Sequence, residues 1–336
     1  MDGTGRLKST TFLGSLNQAL RHLLESDPSV FIWGEDLLDP YGGAFKVTAG
    51  LQADYPDRVL TTPISEAAIV GLANGMALRG YRPVVEIMFG DFITLAADQI
   101  INYAAKFRAM YRGQGAHSLV IRTPMGGGRG YGPTHSQSIE KIFFGIPGLR
   151  IVAPSLFHDP GALLVRAVRE TDDPVLFVEH KLLYAQEIFP EGEMLPGLDG
   201  FPTRVVRNYT AGAPDVTLIG YGGASLWFEP LLGQLAEEEI RVLACLPSSV
   251  QPLPIDDLAA AAAETGRVVI VEEATRTHGW GAEVAAALTE RLWGKLKGPV
   301  VRVGAADTIV PTARPLEDAV LPSPGTIEKA IYKILA

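Results

Sequence analysis

The chain has 336 residues, 47% hydrophobic and 20% charged, with a formal net charge of −9. That length suits two domains with substantial cores, at roughly 100–200 residues each. The acidic balance excludes a phosphate-backbone binder, which needs clustered Lys and Arg.

The start, MDGTGRLKSTTFLG, lacks the uninterrupted apolar core of a signal peptide. No run approaches the ~20 apolar residues of a membrane span. The lone Cys245, in RVLACLP, reads as a buried strand thiol in a reducing compartment. Neither a thiolate zinc site nor an H-E-x-x-H pattern is available. These features predict a cytoplasmic protein, with neither nucleic acid nor membrane as partner.

In chain order, Ser9 or Thr10 is placed to cap a helix whose Leu13, Leu16, Leu20, Leu23 and Leu24 share one face. The strand VFIWGED follows, then the turn-rich DPYGGAF. Further strands are expected at RVLTTP, PVVEIMF, SLVIRT, RIVAPS and PVLFVEH, with helices between most of them, notably over 92–111 and 162–169. Strands alternating with helices predict a mainly parallel, helix-covered sheet. From Gln186 to Pro214 the pattern fades into proline, glycine and acidic residues, which reads as a linker. A second series then runs through DVTLIGYGG, IRVLACLP, RVVIVEE and VVRVGA, with helices from Ala224, near 255–264 and from Trp280. The expected architecture is α/β in two domains, 1–190 and 214–336, with 191–213 as the linker.

Two stretches stand out chemically. In TTPISEAAIVGLANGMALRG a single carboxyl group, Glu66, opens an otherwise apolar or small-residue helix. Helix capping explains it in part: Ser65 is suited to accept an amide hydrogen bond, and a first-turn carboxylate complements the helix dipole, for ~1 kcal/mol. Gly71 and Gly75, four residues apart, leave a smooth face for another backbone, and Gly80 suits the helix end. A carboxyl group at such a mouth is poorly solvated and can share a proton with a ligand nitrogen.

The second stretch, MGGGRGYGPTHSQS (residues 125–138), is a glycine-dense loop after SLVIRT. It does not read as a phosphate loop, because no G-K-[ST] ends it. A loop at the C-terminal end of a parallel strand is nonetheless a favoured place for function. Its Arg129 is a candidate contact for an acidic substrate or carrier. His22, His117, His158, His180 and His278 read as structural, Glu86 and Asp91 receive no role, and no G-x-S-x-G elbow supports a hydrolase.

The combination of PISE, EIMFGDFITLAADQIIN and PTHSQS, with GEDLLDPYGGAFKVTAGL, HGWGAEV and PLEDAVLPS, resembles the beta subunit of thiamine-diphosphate-dependent 2-oxoacid dehydrogenases. These are first components of the pyruvate and branched-chain complexes, in the transketolase-like superfamily. The likeness spans nearly the whole chain and implies a pyrimidine-binding domain followed by a transketolase C-terminal domain. It assigns Glu66 to a ring nitrogen of the cofactor's aminopyrimidine, where a carboxyl group favours the imino tautomer and so a proton relay. It places Ile64, Met88 and Phe92 along the aminopyrimidine pocket and Glu35 near the active site. It sets His135 on the substrate side, positioning the 2-oxoacid carboxylate and managing protons.

The resemblance also implies partners. Relatives hold the diphosphate and Mg2+ through a G-D-G motif with a downstream Asn on an alpha subunit, and this chain has GDF at Gly90 but no such motif. An alpha partner in a heterotetramer of two alpha and two beta chains is therefore expected, as is a lipoyl-domain or carrier-protein acceptor. The segment around Glu170–Pro174 corresponds to a region where some relatives bind K+. One run departs from the pattern: CLPSSVQPLPIDD lacks the usual Arg. A split transketolase moving a two-carbon ketol unit, and a non-catalytic scaffold subunit, are the alternative readings.

Overall fold

The computed structural model describes residues 11–113, 117–190 and 192–336. Ser9 and Thr10, expected as a helix cap, lie outside them. The cap among the described residues is Thr11, whose Oγ1 accepts from the Gly14 N–H at 3.1 Å. The helix it opens, α1 (Phe12–Ser26), buries Leu16, Leu20, Leu23 and Leu24, as the leucine spacing predicts.

The chain divides into two compact units. The first comprises the described residues of Met1–Met125, with Ile142–Val152 and Asp159–Ile188. Its strands are β1 (Val30–Gly34), β2 (Val59–Thr61), β3 (Arg82–Glu86), β4 (Val120–Met125), β5 (Arg150–Val152) and β6 (Val175–His180). They lie in the order β5-β6-β4-β3-β1-β2, every neighbouring pair parallel. The central β4 and β6 are buried at every position, which is why they read as unbroken apolar runs rather than alternating ones.

The helices of this unit after α1 are the single turn α2 (Leu51–Asp54), α3 (Glu66–Leu78), α4 (Phe107–Met110) and α5 (Pro160–Arg169). The helix expected over 92–111 is helical but broken. A 3-10 segment at Gly90–Ala96 leads through a π turn at Gln99–Tyr103 and a second 3-10 turn to α4. At the π turn Asn74 of α3 donates from Nδ2 to the Gln99 carbonyl at 2.9 Å. A side chain inserted into the backbone ladder is a recognised cause of such a break.

The second unit comprises Gly126–Lys141, Ala153–His158 and, as far as described, Phe189–Ala336. Its strands are β7 (Glu193–Leu198), β8 (Phe201–Arg207), β9 (Val216–Gly220), β10 (Val242–Pro247), the short β11 (Ser249–Gln251), β12 (Val268–Thr275) and β13 (Val301–Ala305). The sheet order is β13-β12-β9-β10-β8-β7. The first four run parallel, while β8 and β7 join antiparallel. Helices α6 (Ser225–Glu237), α7 (Ile255–Thr265), α8 (Trp280–Arg291), α9 (Arg314–Val320) and α10 (Pro324–Leu335) complete it. Leu218, Phe228, Leu231, Val242, Val269 and Ile327 form part of one buried core.

Here the structure differs from the expectation for 191–213. That stretch contributes a hairpin to the second sheet, turning through Gly197 and Gly200 at φ +67° and +79°. Cys245 lies in β10 fully buried, and burial pushes its thiol well above the usual range. Among the described residues no helix is long and apolar enough to cross a membrane.

Candidate functional site

Strands β1, β2 and β3 end side by side, with Gly34 in register with both Thr61 and Glu86. The Thr62 N–H donates to the Gly34 carbonyl at 3.0 Å. A Cβ on Gly34 would meet the Glu86 carbonyl oxygen at 2.5 Å, so glycine permits this close approach. Glu35, the Ile64–Glu66 turn and the Met88–Phe92 turn consequently emerge at one C-terminal sheet edge, where open parallel sheets bind ligands.

Glu66 is the first residue of α3 and is 5% exposed. The expected Ser65 side-chain cap is not made. Glu35 is itself buried, and burial pushes its carboxyl above the usual range, with the charges of Glu66 and Asp36 adding to the push and the Ser65 N–H opposing it. Among the described residues its Oε1 has no hydrogen-bond partner. Two buried carboxyl groups in mutual repulsion, one with an unsatisfied oxygen, form a place suited to holding a proton or a ligand N–H. The aminopyrimidine of thiamine diphosphate fits that donor set.

Helix α3 ends in a Schellman motif. Gly80 N–H donates to the Ala77 carbonyl at 3.0 Å and Tyr81 N–H to that of Met76 at 3.1 Å, with Gly80 at φ +86°. Along the glycine face of α3, a Cβ on Gly71 would touch Gln99 Cγ at 3.8 Å, and one on Gly75 would meet none of the described residues within 4 Å. Large apolar side chains on the same helix and on the 95–111 segment packed against it are exposed, among them Leu72, Leu78, Leu95, Tyr103 and Met110.

Met88 and Phe92 are half-buried. Phe92 packs edge-on against Phe89, which packs edge-on against Phe45. Ile64 is 83% exposed, so in the isolated chain it lines no wall by itself. Glu86 serves a separate structure. Arg122 on β4, fully buried, reaches Glu86 Oε2 at 2.8 Å and forks onto both oxygens of Glu179 at 2.7 Å each. Tyr184 also donates to Glu179, at 2.6 Å. Burial works against the Arg122 charge, but the two carboxylates hold its pKa above the ordinary value. This triad was not anticipated, although an Arg inside the apolar run SLVIRT is the signal that could have pointed to it.

His135 belongs to the second unit. It is half-buried, its N–H donates to the Gly132 carbonyl at 3.2 Å, and its Nδ1 lies 3.0 Å from Thr134 Oγ1. The glycine loop carrying it has its amides occupied by carboxylates. Gly127 N–H donates to Glu273 Oε1 at 2.7 Å, and Gly128 and Gly130 donate to Glu317 at 3.0 and 2.8 Å. Glu273 and Glu317 lie far along the chain, and no local pattern connects them to the loop. Arg129 is exposed.

Two of the histidines read as structural are buried in fixed hydrogen bonds. His117 shares a 2.9 Å bond with Asn74 and stacks on Phe107, and burial pushes it down to about 4. His158 bonds Ser155 at 2.7 Å and burial pushes it down to about 3.

Comparison with known proteins agrees with this architecture. Residues 9–186 match the family described as "Transketolase, pyrimidine binding domain", and residues 208–327 the one described as "Transketolase, C-terminal domain". The chain is similar to the beta subunit of acetoin:2,6-dichlorophenolindophenol oxidoreductase from Cupriavidus necator, at 36% identity over 333 residues, 96% of each chain. It is similar to pyruvate dehydrogenase E1 component subunit beta from Porphyra purpurea at 40% identity, covering 96% of this chain and 95% of that one. The Staphylococcus epidermidis counterpart is 38% identical, covering 90% and 91%. A solved split gene transketolase, an inactive beta4 tetramer, superposes with a TM-score of 0.75 over 97% of this chain and 99% of that one. At 22% identity that likeness speaks for the fold alone.

Proposed function

The chain belongs to the transketolase-domain family of thiamine-diphosphate-dependent 2-oxoacid dehydrogenase beta subunits, and on that premise we propose that it decarboxylates a 2-oxoacid and passes the acyl group to a lipoyl acceptor, acting only with an alpha partner. The observation that carries the site assignment is the buried Glu35–Glu66 pair, with its unsatisfied Glu35 oxygen, at the mouth of α3.

Thiamine diphosphate, when bound, supplies a nucleophilic thiazolium carbon and an electron sink for decarboxylation. Glu66 would share a hydrogen bond with a ring nitrogen of the aminopyrimidine. Glu35, poised above the ordinary carboxyl range by burial, keeps a second proton-holding group beside it. Met88 and Phe92 give the ring apolar contact, and Ile64 joins them once a partner chain covers it. His135 positions the substrate carboxylate and manages protons during acyl transfer.

The alpha partner supplies the diphosphate and Mg2+ ligands in this reading. The Gly71–Gly75 face and the exposed Leu72, Leu95 and Tyr103 support a subunit contact there. A K+ ion near Glu170–Pro174 stays within the proposal: the carbonyls of Thr171, Asp172 and Pro174 accept from Ser118, His117 and Arg150, and each carbonyl oxygen carries a second lone pair. A cytoplasmic location remains part of the proposal, on the buried lone thiol of Cys245.

The test is reconstitution with the alpha chain, thiamine diphosphate and Mg2+, followed by dye reduction with short and branched 2-oxoacids. Turnover on one of them is expected. Turnover on ketose phosphates or on acetoin alone rejects the 2-oxoacid reading. The CLPSSVQP run favours keeping the acceptor assay open, because it lacks the Arg of the family's acidic-Leu-Arg pattern.

A further inference from the structure

Within the second unit, the loop bearing His135 rests on a charge that the chain itself provides. Successive glycine N–H groups arranged around one anion make the kind of nest that proteins use for phosphate. Here the anion is Glu317 of α9, fully buried, with Oε1 accepting from Gly128 and Oε2 from Gly130. A second carboxylate closes the flanks: Glu273 Oε1 accepts from both Gly127 N–H and Ser138 Oγ, which lie on either side of His135. Glu272, its neighbour on β12, accepts instead from the Gly281 N–H at 3.1 Å, so the two acids serve different structures.

Packing supports the same assignment. A Cβ on Gly127 would meet Leu321 Cδ1 at 2.6 Å, and one on Gly132 would meet Thr312 Oγ1 at 2.5 Å. The glycines let the loop lie flat against the 312–321 segment, and Arg314 donates to the Gly128 carbonyl from the same helix as Glu317. A glycine-rich loop loses more conformational entropy on ordering than any other, so strong charge-assisted bonds are needed to hold it.

We propose that Glu317 is a positioning residue for His135, an internal anion that clamps the glycine loop, with Glu273 fixing its flanks. The proposal rests on the reading of His135 as the substrate-side group. It adds to that reading the device that holds the imidazole in one place.

The experiment uses the full chain and a protease. The exposed Arg129 lies between the two clamped amides, so trypsin cleaves after it only when the clamp opens. Glu317→Gln keeps the shape but replaces one accepting oxygen with an NH2 group. Cleavage after Arg129 is expected to accelerate roughly tenfold or more, with other tryptic sites unchanged. Equal cleavage rates, or rapid cleavage of the parent chain there, overturn the clamp. Should Glu317→Gln fail to fold, Glu317→Asp shortens the reach to the same two amides and is read by the same cleavage, with the same outcomes. In the reconstituted enzyme, Glu317→Gln is expected to lower kcat/KM, and to have no further effect in a His135→Ala background. Multiplicative losses would make Glu317 merely structural and overturn the assignment. Proteolysis needs neither cofactor nor turnover, so a failure of the 2-oxoacid reading leaves the clamp separately decided.

Discussion

Glu66→Gln separates a working carboxyl group from a structural one. The replacement keeps the side chain's size and removes its charge. Two opposing effects on stability follow from the structure. A carboxylate in the first turn of α3 favours the helix by ~0.3–1 kcal/mol. The same charge repels Glu35, and its removal relieves that repulsion. Ser65 contributes no side-chain cap in either case. The net change should lie within about 1 kcal/mol of zero, a melting shift of about 2–4 °C at most for a domain of this size. Loss of a positioned proton-transfer group, by contrast, costs ~10²–10⁴ in rate. The assay is dye reduction by the reconstituted enzyme, with melting temperature and sedimentation measured on the same samples. Unchanged turnover would refute the reasoning and favour a scaffold. Loss of assembly would move Glu66 from the chemistry to the interface.

The remaining predictions concern stability. His117 is held at about 4 against an ordinary 6.5, so the unfolded chain takes its proton first as pH falls. Its stabilisation is complete above about pH 6.5 and is lost between there and about pH 4, on the order of 3 kcal/mol; urea titrations of His117→Gln should show a flatter pH slope, and identical slopes would refute this. Arg122→Met leaves Glu86 and Glu179 buried without their cation and should cost about 3–5 kcal/mol in denaturant unfolding. Gly197→Ala places a Cβ 1.7 Å from the Phe201 carbonyl oxygen at φ +67°. Hydrogen exchange should then show lost protection across β7 and β8, with a cost of about 1–3 kcal/mol; retained protection would place the hairpin outside the cooperative sheet.

Much of the architecture is legible in local pattern. The apolar runs VFIWG, PVVE, LVIRT and VLFVEH are strands because a parallel sheet covered on both faces needs apolar residues at consecutive positions. The 92–111 helix was readable as helical, but its break at Gln99 depends on Asn74, which lies one helix earlier. The hairpin at 193–207 was hidden because its glycines and proline read as loop, while its stability comes from pairing with β10 far downstream. At the candidate site, Glu66 announced itself as a lone acid in apolar surroundings. Ser65 had the right chemistry for a cap, yet its side chain makes no capping bond.

What the sequence determined by itself was the set of elements, the lone carboxyl at the mouth of α3 and the glycine loop, because each is encoded by residues within a few positions of one another. Tertiary structure alone decided the partners: Glu35 against Glu66, Arg122 between two glutamates, and Glu273 and Glu317 on the loop amides. Those pairings depend on strand order and on how helices close over the sheets. A buried charge can be satisfied by any group that the fold brings near, and spacing along the chain carries no record of which one arrives.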